Sequence, residues 1–287
     1  DLRLGAIDAQ HRPSPEVPGQ CQFVDDWPEG ESVATAPVKD ALAPPQVDRT
    51  GRIVGSMLAG AIGDALGATL EFMSLSEIEA QFGKGGSTTF IPYHEHPASI
   101  TDDTQMSLFT AEGLIEAAKH GTDPVDEVWK AYQRWFYTQK GPLPEGVEPD
   151  FGLLAVPELH QRRAPGYTCM SSMEGGVKGT INAPINDSKG CGGIMRVGPV
   201  GLIATSSEQA YRLGCDVAAL THTHRNGWIP AGVQAVIIHR IMEGDDLFAA
   251  VLAGREMAEQ DPQGGEVVAC IDAAIALSAE APLGGWD

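Results

Sequence analysis

Apolar residues recur at helical spacing over most of the chain after residue 51. Within residues 101–119, Met106, Phe109, Leu114 and Ala117 fall on roughly one side of a helix. Such spacing is typical of an amphipathic helix that packs on a core. The flanking residues agree, because a threonine stands at the start as a candidate N-cap and a glycine follows the end.

The next helix is predicted to begin at Pro124, after the candidate cap Asp123, because proline is favoured at the first helical position. Its apolar stripe consists of Val125, Val128, Tyr132 and Phe136. Aromatic residues at this spacing are typical of a core, so we interpret the stripe as packing rather than as a cofactor-binding face.

Further helices are predicted over residues 52–70, 206–220, 229–243, 246–260 and 265–281. No stretch alternates convincingly between apolar and polar residues, so no strand is predicted. The predicted fold class is therefore all-α, a compact multi-helix domain. No apolar run approaches the roughly 18 residues of a membrane helix. No charged-then-apolar leader opens the chain, so neither membrane insertion nor secretion is expected.

The stretch 52–70 is unusually rich in small residues, including Gly55, Gly60, Gly63 and Gly67. Each glycine costs a helix about 1 kcal/mol relative to alanine. We therefore expect another backbone, or a ligand, to approach this helix closely.

Asp64 and Glu71 are the carboxylates of this small-residue stretch. Their spacing of seven predicts that they share one helical face. A carboxylate among apolar residues needs a partner, and a metal ion is one. A solvent-exposed Glu71 at the helix end is the alternative.

Residues 1–50 differ from the rest, because seven prolines lie among acidic residues without sustained periodicity. We predict an extended or disordered arm here, followed by a domain over residues 51–287. The arm contains one apolar island, Cys21, Phe23, Val24 and Trp27, which could dock on the domain or on a partner, although a plain linker is the simpler interpretation.

The formal charge of −20 excludes a nucleic-acid binder in practice, because phosphate would be repelled. Any anionic ligand would need local help from backbone N–H groups, helix N-termini or metal ions. The five cysteines are odd in number and widely spaced. This pattern argues against a disulfide framework and a zinc site, and it favours a reducing, cytoplasmic location.

Thr101, Asp102, Asp103 and Thr104 place hydroxyls and two carboxylates in one helical turn. Acidic residues at a helix N-terminus are also favoured by the helix dipole, so a simple cap is one interpretation. The other is a magnesium site, because Mg²⁺ prefers oxygen ligands of this kind.

Residues 188–196 form a glycine-rich segment whose N–H groups could bind phosphate at the opening of a helix. The segment is neither a Walker A nor a Rossmann motif, and a glycine turn without a ligand remains an alternative. Thr221, His222, Thr223 and His224 follow a predicted helix. Ligand contacts or a helix C-cap explain them better than zinc, which lacks further ligands here.

Four ordered segments resemble the ADP-ribosylglycohydrolase family, including its dinitrogenase-reductase-activating type. They read RIVGSMLAGAIGDALGATLEF, TDDTQM, SKGCGGIMRVGPVGL and THTH, and DFGLLAVPELHQRRAPG between them is also similar. The resemblance covers residues from about 52 to 287. It implies a compact all-α fold with two Mg²⁺ (or Mn²⁺) ions in a central cleft. It also implies hydrolysis of the bond between ADP-ribose and a protein side chain, arginine above all.

The same resemblance implies a role for individual residues. The implied metal ligands are Thr101, Asp102 and Asp103. The implied catalytic carboxylates are Glu71, beside the scissile bond, and Asp103. The implied substrate-binding residues are Ser188, Lys189, Gly190, Cys191 and Gly192 around the diphosphate, His222 at the distal part of the ligand, and Asp150 near the site.

The sequence departs from the family at one motif, an Asp-x-Asp-Ser/Thr that the resemblance places in the last quarter to complete the metal site. None occurs in these 287 residues, and we expect a truncated chain with a half-built site whose activity is in question. The competing hypothesis is a non-catalytic ADP-ribose binder or immunity protein whose arm blocks an ADP-ribosylating toxin. A helical di-metal phosphohydrolase is the third hypothesis.

Overall fold

A computed structural model describes residues 48–83, 86–92 and 98–280 of the chain. These ranges contain ten α-helices, namely α1 (Arg49–Gly67), α2 (Leu75–Phe82), α3 (Asp102–His120), α4 (Pro124–Gln139), α5 (Tyr167–Gly175), α6 (Gly198–Ile203), α7 (Ser207–Ala219), α8 (Arg225–Glu243), α9 (Leu247–Gln260) and α10 (Gly265–Glu280). Short 3-10 turns lie at Gly152–Ala155, Pro157–His160 and Ile194–Arg196. The only β feature in the described ranges is an isolated bridge between Thr180 and Ala183. The predicted all-α class is confirmed.

Helices α3 and α4 begin and end where the capping residues predict. The Thr101 hydroxyl accepts from the Asp103 N–H at 3.3 Å, and Gly121 ends α3 in the left-handed conformation with φ 64°. Asp123 caps α4 by accepting from two backbone N–H groups of its first turn. These contacts satisfy orphan backbone groups that would otherwise be lost at helix ends.

The core lies between two helix pairs, α3 with α4 and α7 with α8. Helix α6 and the Ile194–Arg196 turn lie between the pairs and contact both α3 and α8. The predicted stripe of α3 is buried, and the stripe of α4 is buried except for its first member, Val125, which is half-buried. Helix α9 packs on the far side of α8. This arrangement brings the start of α3 and the loop before α6 into one region.

Helix α8 begins four residues before its predicted start at residue 229. The Nδ1 atom of His224 caps it by accepting from the Asn226 N–H at 3.0 Å. Pro230 lies within the helix and cannot donate a backbone hydrogen bond, which is why the sequence pattern placed the start too late. Ser206 caps α7, since its hydroxyl accepts from the Gln209 N–H at 3.2 Å.

Among the described residues, helix α1 does not have the close backbone neighbour that is one of the two explanations for its glycines, and a closely bound ligand stays a prediction. A Cβ atom added at Gly55, Gly60, Gly63 or Gly67 would meet no atom of the described chain within 4 Å. A high glycine content therefore does not by itself show that α1 packs closely against another helix. Most of the predicted arm lies outside the described residues, and Asp48, near its end, caps α1 by accepting from the Gly51 N–H.

Two further expectations concern the cysteines and the membrane. The cysteines within the described ranges form no disulfide, in agreement with the sequence pattern. No described helix combines the length and the apolar character that a membrane span requires.

Candidate active site

An acidic cluster forms where the end of α1 meets the start of α3. Asp64, in the last turn of α1, accepts four hydrogen bonds at the N-terminus of α3. The donors are the N–H and hydroxyl of Thr101, both at 2.8 Å, and the N–H and hydroxyl of Thr104, at 3.2 and 2.5 Å. Asp64 is thus satisfied by protein groups, and it fixes the orientation of the turn that carries Asp102 and Asp103.

Glu71 lies near this cluster, but not in the way the sequence spacing predicts. Helix α1 ends at Gly67, and Glu71 lies in the following turn, where its N–H donates to the Gly67 carbonyl. The prediction of a shared helical face with Asp64 is therefore wrong. Partial burial of the Glu71 carboxyl and the negative charge of Asp64 raise the pKa of Glu71. Glu71 therefore lies close enough to Asp64 to be affected by its charge, although the Glu71 residue is exposed.

Asp102 and Asp103 are the carboxyl groups of the cluster whose pKa values are raised most. Burial raises the pKa of Asp102 to about 8, with Asp103 and Glu71 adding to the effect and a hydrogen bond from the Gly166 N–H opposing it. Burial and the charges of Asp64 and Glu71 raise the pKa of Asp103 to about 7. Within the described ranges no Lys or Arg forms an ion pair with these carboxylates. A cation is the partner that would stabilise their charged forms.

The donor set fits part of a magnesium shell. The Thr101 hydroxyl donates to Asp64 and accepts from the Asp103 N–H, which leaves one lone pair for a cation. Together with Asp102 and Asp103 it offers three hard oxygen donors, and Mg²⁺ commonly takes one or two carboxylates and keeps several waters. The described residues contain no group of three or more His, Cys, Asp or Glu side chains arranged to hold a metal, so these donors alone do not enclose an ion.

The glycine loop, residues 188–193, faces this cluster. Partial burial raises the pKa of the Cys191 thiol to about 11, and the charges of Asp103, Glu71 and Asp102 act in the same direction. Such an effect requires these carboxylates to lie near the thiol. The structure therefore brings the implied metal ligands and one implied diphosphate-binding residue into a single region.

His222 lies on the other side of the same loop. A Cβ atom at Gly192 would lie 2.7 Å from His222 Cε1 and 2.8 Å from Cys169 Sγ. A Cβ atom at Gly193 would lie 2.7 Å from the Gly227 carbonyl oxygen. A side chain at either position would clash with these neighbours, so close packing favours glycine at both. The loop continues into the 3-10 turn Ile194–Arg196, and α6 follows at Gly198, so the helix predicted after the loop begins with a 3-10 turn.

The remaining residues of the loop differ in their surroundings. The Ser188 hydroxyl is buried and lies 2.9 Å from the Thr168 hydroxyl at the start of α5. It also accepts from the Gly190 N–H at 3.3 Å. Lys189 is exposed at the rim. The loop is thus anchored through Ser188 and presents its charged side chain to solvent.

No described contact joins Asp150 to the acidic cluster. Asp150 is exposed, and the residues after it are held by Glu112, whose Oε1 accepts from the Leu153 N–H at 2.7 Å. Glu112 in turn pairs with the buried Arg134 at 2.7 Å. Glu112 lies ten residues along α3 from Asp102, which corresponds to about 15 Å of helix. The role of Asp150 stays a prediction.

The sequence analysis assigned no role to Arg196, which lies beneath the loop. Arg196 is fully buried and donates to the Thr221 hydroxyl at 2.6 Å, and this hydroxyl lies 2.8 Å from His222 Nδ1. An arginine between a glycine-rich turn and an apolar helix is the sequence signal that could have indicated a buried, functional cation.

The described residues thus place an acidic turn beside a glycine loop on an all-α scaffold, and the sequence comparisons identify the family to which this scaffold belongs. The sequence profile of the ADP-ribosylglycohydrolase family matches residues 45–285. The chain belongs to the ADP-ribosylglycohydrolase family.

Curated relatives share parts of this chain. The ADP-ribosyl-[dinitrogen reductase] glycohydrolase of Rhodospirillum rubrum is 42% identical over 89 residues, which cover 29% of this chain and 28% of the relative. The ADP-ribosylarginine hydrolase Tri1 of Serratia proteamaculans is 35% identical over 75 residues, 26% and 19% of the two chains. An uncharacterised protein of Archaeoglobus fulgidus is 28% identical over 171 residues, 58% and 48% of the two chains. The chain spans less than half the length of each relative that it matches.

Proposed function

We propose that this protein is a magnesium-dependent hydrolase that removes ADP-ribose from a modified arginine side chain of a protein. The observation that carries the proposal is the desolvated cluster of Asp102 and Asp103, which has no cationic partner among the described residues and faces the glycine loop. The names of two relatives support the substrate class, since one names an ADP-ribosylated dinitrogen reductase and the other ADP-ribosylarginine.

Mg²⁺ would be held by Thr101, Asp102 and Asp103, with water completing its shell. When bound, it supplies positive charge for an anionic ligand, orients ribose hydroxyls and lowers the pKa of a water. Its charge would also offset the free-energy cost of burying the two carboxylates, because an opposite charge stabilises their ionised forms. A chain with a net charge of −20 needs such local compensation to bind a diphosphate.

Glu71 would act at the scissile bond. Its carboxyl is partly desolvated, and its raised pKa suits it to take a proton from the attacking water. The water oxygen bonds to the anomeric carbon as the bond from that carbon to the guanidinium nitrogen breaks. The leaving guanidine keeps the bonding electron pair and gains the proton that Glu71 took from the water, which returns Glu71 to its carboxylate form. A nearby carboxylate also stabilises the oxocarbenium-like transition state.

The proposal is tested by incubating the purified protein with an arginine-ADP-ribosylated protein and measuring the release of free ADP-ribose. Release should require Mg²⁺ and stop with EDTA. Asp103→Asn should lower the rate by at least about 100-fold, because one charge of the cluster is lost. Glu145→Gln, on an exposed loop residue, is the matched control and should leave the rate unchanged. Release that is insensitive both to EDTA and to Asp103→Asn would overturn the proposal.

A further inference from the structure

The segment that precedes α5 runs back along one side of α3 and is attached to it at three points. We call residues 151–166 the strap. The attachment points on α3 are Asp102, Gln105 and Glu112, which lie on one side of the helix because they are three and seven residues apart. The strap is antiparallel to α3, since Glu112 holds its first residues and Asp102 holds its last.

The first attachment is a buried carboxylate. Glu112 Oε1 accepts from the Leu153 N–H at 2.7 Å, and Glu112 Oε2 accepts from Arg134 Nε at 2.8 Å. The Arg134 guanidinium also lies 5.0 Å from the centre of the Phe151 ring. Position 152 favours glycine, because φ there is 54° and a Cβ atom would clash with Glu112 Oε1. A buried ion pair is a costly way to hold a partly exposed segment. What a fully bonded network of this kind provides is a single, rigid geometry.

The second attachment is the side-chain amide of Gln105, which has no exposed surface. Its Nε2 donates to the carbonyls of Leu159 and Gln161 at 3.4 and 3.0 Å. Its Oε1 accepts from Trp135 Nε1 at 3.2 Å and from Gln139 Nε2 at 3.1 Å. The amide therefore uses its donors on the strap and its acceptor on α4, so that it joins the two.

The third attachment ends on Asp102. The Asp102 N–H donates to the Arg163 carbonyl at 2.9 Å, and Asp102 Oδ2 accepts from the Gly166 N–H at 3.0 Å. Between these contacts Ala164 has φ 49°, a left-handed conformation that residues other than glycine rarely adopt. Such strain persists only where the surroundings determine the backbone, and it is concentrated at functional sites. Because the strap holds both the backbone and the carboxylate of Asp102, it fixes the rotamer of this side chain.

The end of the strap also reaches the glycine loop. Gly166 is the N-cap residue of α5, and Thr168 in the first turn of this helix places its hydroxyl 2.9 Å from the Ser188 hydroxyl. A displacement of the strap would therefore affect both the acidic cluster and the glycine loop.

We propose that the strap is a positioning element, in which Glu112 and Gln105 hold the Gly166 N–H on Asp102 and so set the orientation in which this carboxylate meets a cation. Glu112 and Gln105 are positioning residues, because they act through the strap. That Asp102 binds Mg²⁺ rests on the proposed function. The coupling from Glu112 to Gly166 does not, because it follows from contacts within the protein alone.

The coupling is tested without metal by amide hydrogen exchange of the full chain, followed by NMR at the Leu153, Gly166 and Val236 N–H groups. Val236 lies in the buried part of α8 and reports unfolding of the whole domain. In Glu112→Ala, the Gly166 N–H at the far end of the strap should exchange at least about tenfold faster relative to Val236 than in the wild type. Glu158→Ala, at an exposed glutamate of the strap itself, is the matched control and should leave all three rates unchanged.

Two results of this experiment would overturn the proposal. A purely local role of Glu112 would raise exchange at Leu153 and leave Gly166 unchanged. Destabilisation of the whole domain would raise exchange at Gly166 and Val236 equally. Gly152→Ala gives a second route to the same displacement, because it keeps both members of the ion pair while its Cβ atom would clash with Glu112 Oε1. It should reproduce the pattern of Glu112→Ala, and the same two results would count against the proposal.

The effect on the cation site is tested by titrating Mn²⁺ in place of Mg²⁺, with EPR detection of the free ion. Gly166→Pro fits the φ of −58° at this position but removes the N–H that binds Asp102 Oδ2. It should weaken binding on the order of tenfold, the usual effect of losing a group that orients a metal ligand. Gly166→Ala keeps the N–H, and its Cβ atom would meet Asp102 Oδ2 only at 3.9 Å, so it should retain most of the affinity. Glu112→Ala should weaken binding, and Glu158→Ala should not.

The outcomes separate this inference from the proposed function. If the wild type binds no Mn²⁺, the metal assignment of the proposed function fails, and the coupling of Glu112 to Gly166 stands or falls with the hydrogen-exchange result. If the wild type binds Mn²⁺ but Gly166→Pro and Gly166→Ala bind it equally well, the positioning of Asp102 by the strap is overturned and the metal site stands.

Discussion

Asp64 shows how a single side chain can order a site without being a ligand in it. Its carboxylate accepts from the backbone and side chain of both Thr101 and Thr104, so it replaces water at the buried start of α3. The same contacts orient the turn that carries Asp102. Its sequence position within a glycine-rich helix indicated a carboxylate with a special partner, but could not indicate that the partner is another helix.

Replacing Asp64 with alanine should therefore destabilise the domain. The four donors at the start of α3 would lose a charged acceptor, which costs about 2 kcal/mol after relief of repulsion with the nearby carboxylates is included. Urea denaturation measures the change. Glu145→Ala, on an exposed loop, should change stability by less than about 0.5 kcal/mol. A similar small change for Asp64→Ala would contradict this role.

His222 should make stability depend on pH. Its folded-state pKa of about 3 lies below its ordinary value, so the unfolded chain binds the proton first. The stabilising contribution is present above about pH 6.5 and is lost as the pH falls toward 3, by about 2 kcal/mol at pH 5 if the shift is fully expressed.

Thermal unfolding of the wild type and His222→Gln across pH 5 to 7.5 checks this effect. The variant should lose less stability than the wild type on acidification, and His120→Gln, an exposed histidine, should behave like the wild type. If the melting temperatures of wild type and His222→Gln fell equally with decreasing pH, His222 would not have the lowered pKa.

At the scale of helices, the same residue type has opposite consequences in α1 and α3. A Cβ atom at Gly113 of α3 would lie 2.6 Å from Val128 Cα and 2.9 Å from the Glu127 carbonyl oxygen in α4. Backbone atoms cannot move aside as a flexible side chain can. At Gly60 of α1, no described atom lies within 4 Å.

Gly113→Ala should therefore destabilise the protein by at least about 2 kcal/mol, because it forces α3 and α4 apart. Gly60→Ala is the matched helix control and should stabilise the protein by up to about 1 kcal/mol through helix propensity. Chemical denaturation of both variants gives the comparison. Equal effects of the two substitutions would mean that the α3–α4 contact is not as close as the structure places it.

The sequence predicted helices well where caps and periodicity agree, and poorly where they do not. Helix α3 has both signals, and its bounds were predicted to within about one residue, while the predicted start of α4 at Pro124 is also confirmed. Helix α2 was overlooked although Ser74 and Glu77 form a complete capping box, because only eight residues follow the cap. Helix α5 has no side-chain cap at all. Short helices of this kind are fixed by tertiary packing, which a local pattern does not contain.

The sequence indicated which segments contribute to the candidate site, but not how they are arranged. The ordered motifs indicated the acidic turn, the glycine loop and His222, and the structure brings these three together. The sequence could not show that Gly192 and Gly193 serve close packing against His222 and Gly227. Nor could it show that Arg196 lies beneath the loop, because that contact joins segments distant in the chain.

At the scale of the whole molecule, charge is the main constraint on function. A chain of net charge −20 concentrates desolvated carboxylates at the point where family membership implies an anionic ligand. A cation in the acidic cluster resolves this conflict, since it stabilises the carboxylates and attracts the ligand. The proposed magnesium dependence would thus follow from the electrostatics of the site as well as from its donor atoms.

We propose that the acidic cluster and the glycine loop form one magnesium-dependent site for ADP-ribose. Calorimetric titration of ADP-ribose into the protein, with Mg²⁺ or with EDTA, tests this proposal. We expect binding with Mg²⁺ that weakens at least about tenfold in EDTA, or about 1.4 kcal/mol, and a similar loss in Asp103→Asn with Mg²⁺ present. Binding of equal strength in all three conditions, or no binding with Mg²⁺, would show that the cluster and the loop do not form such a site.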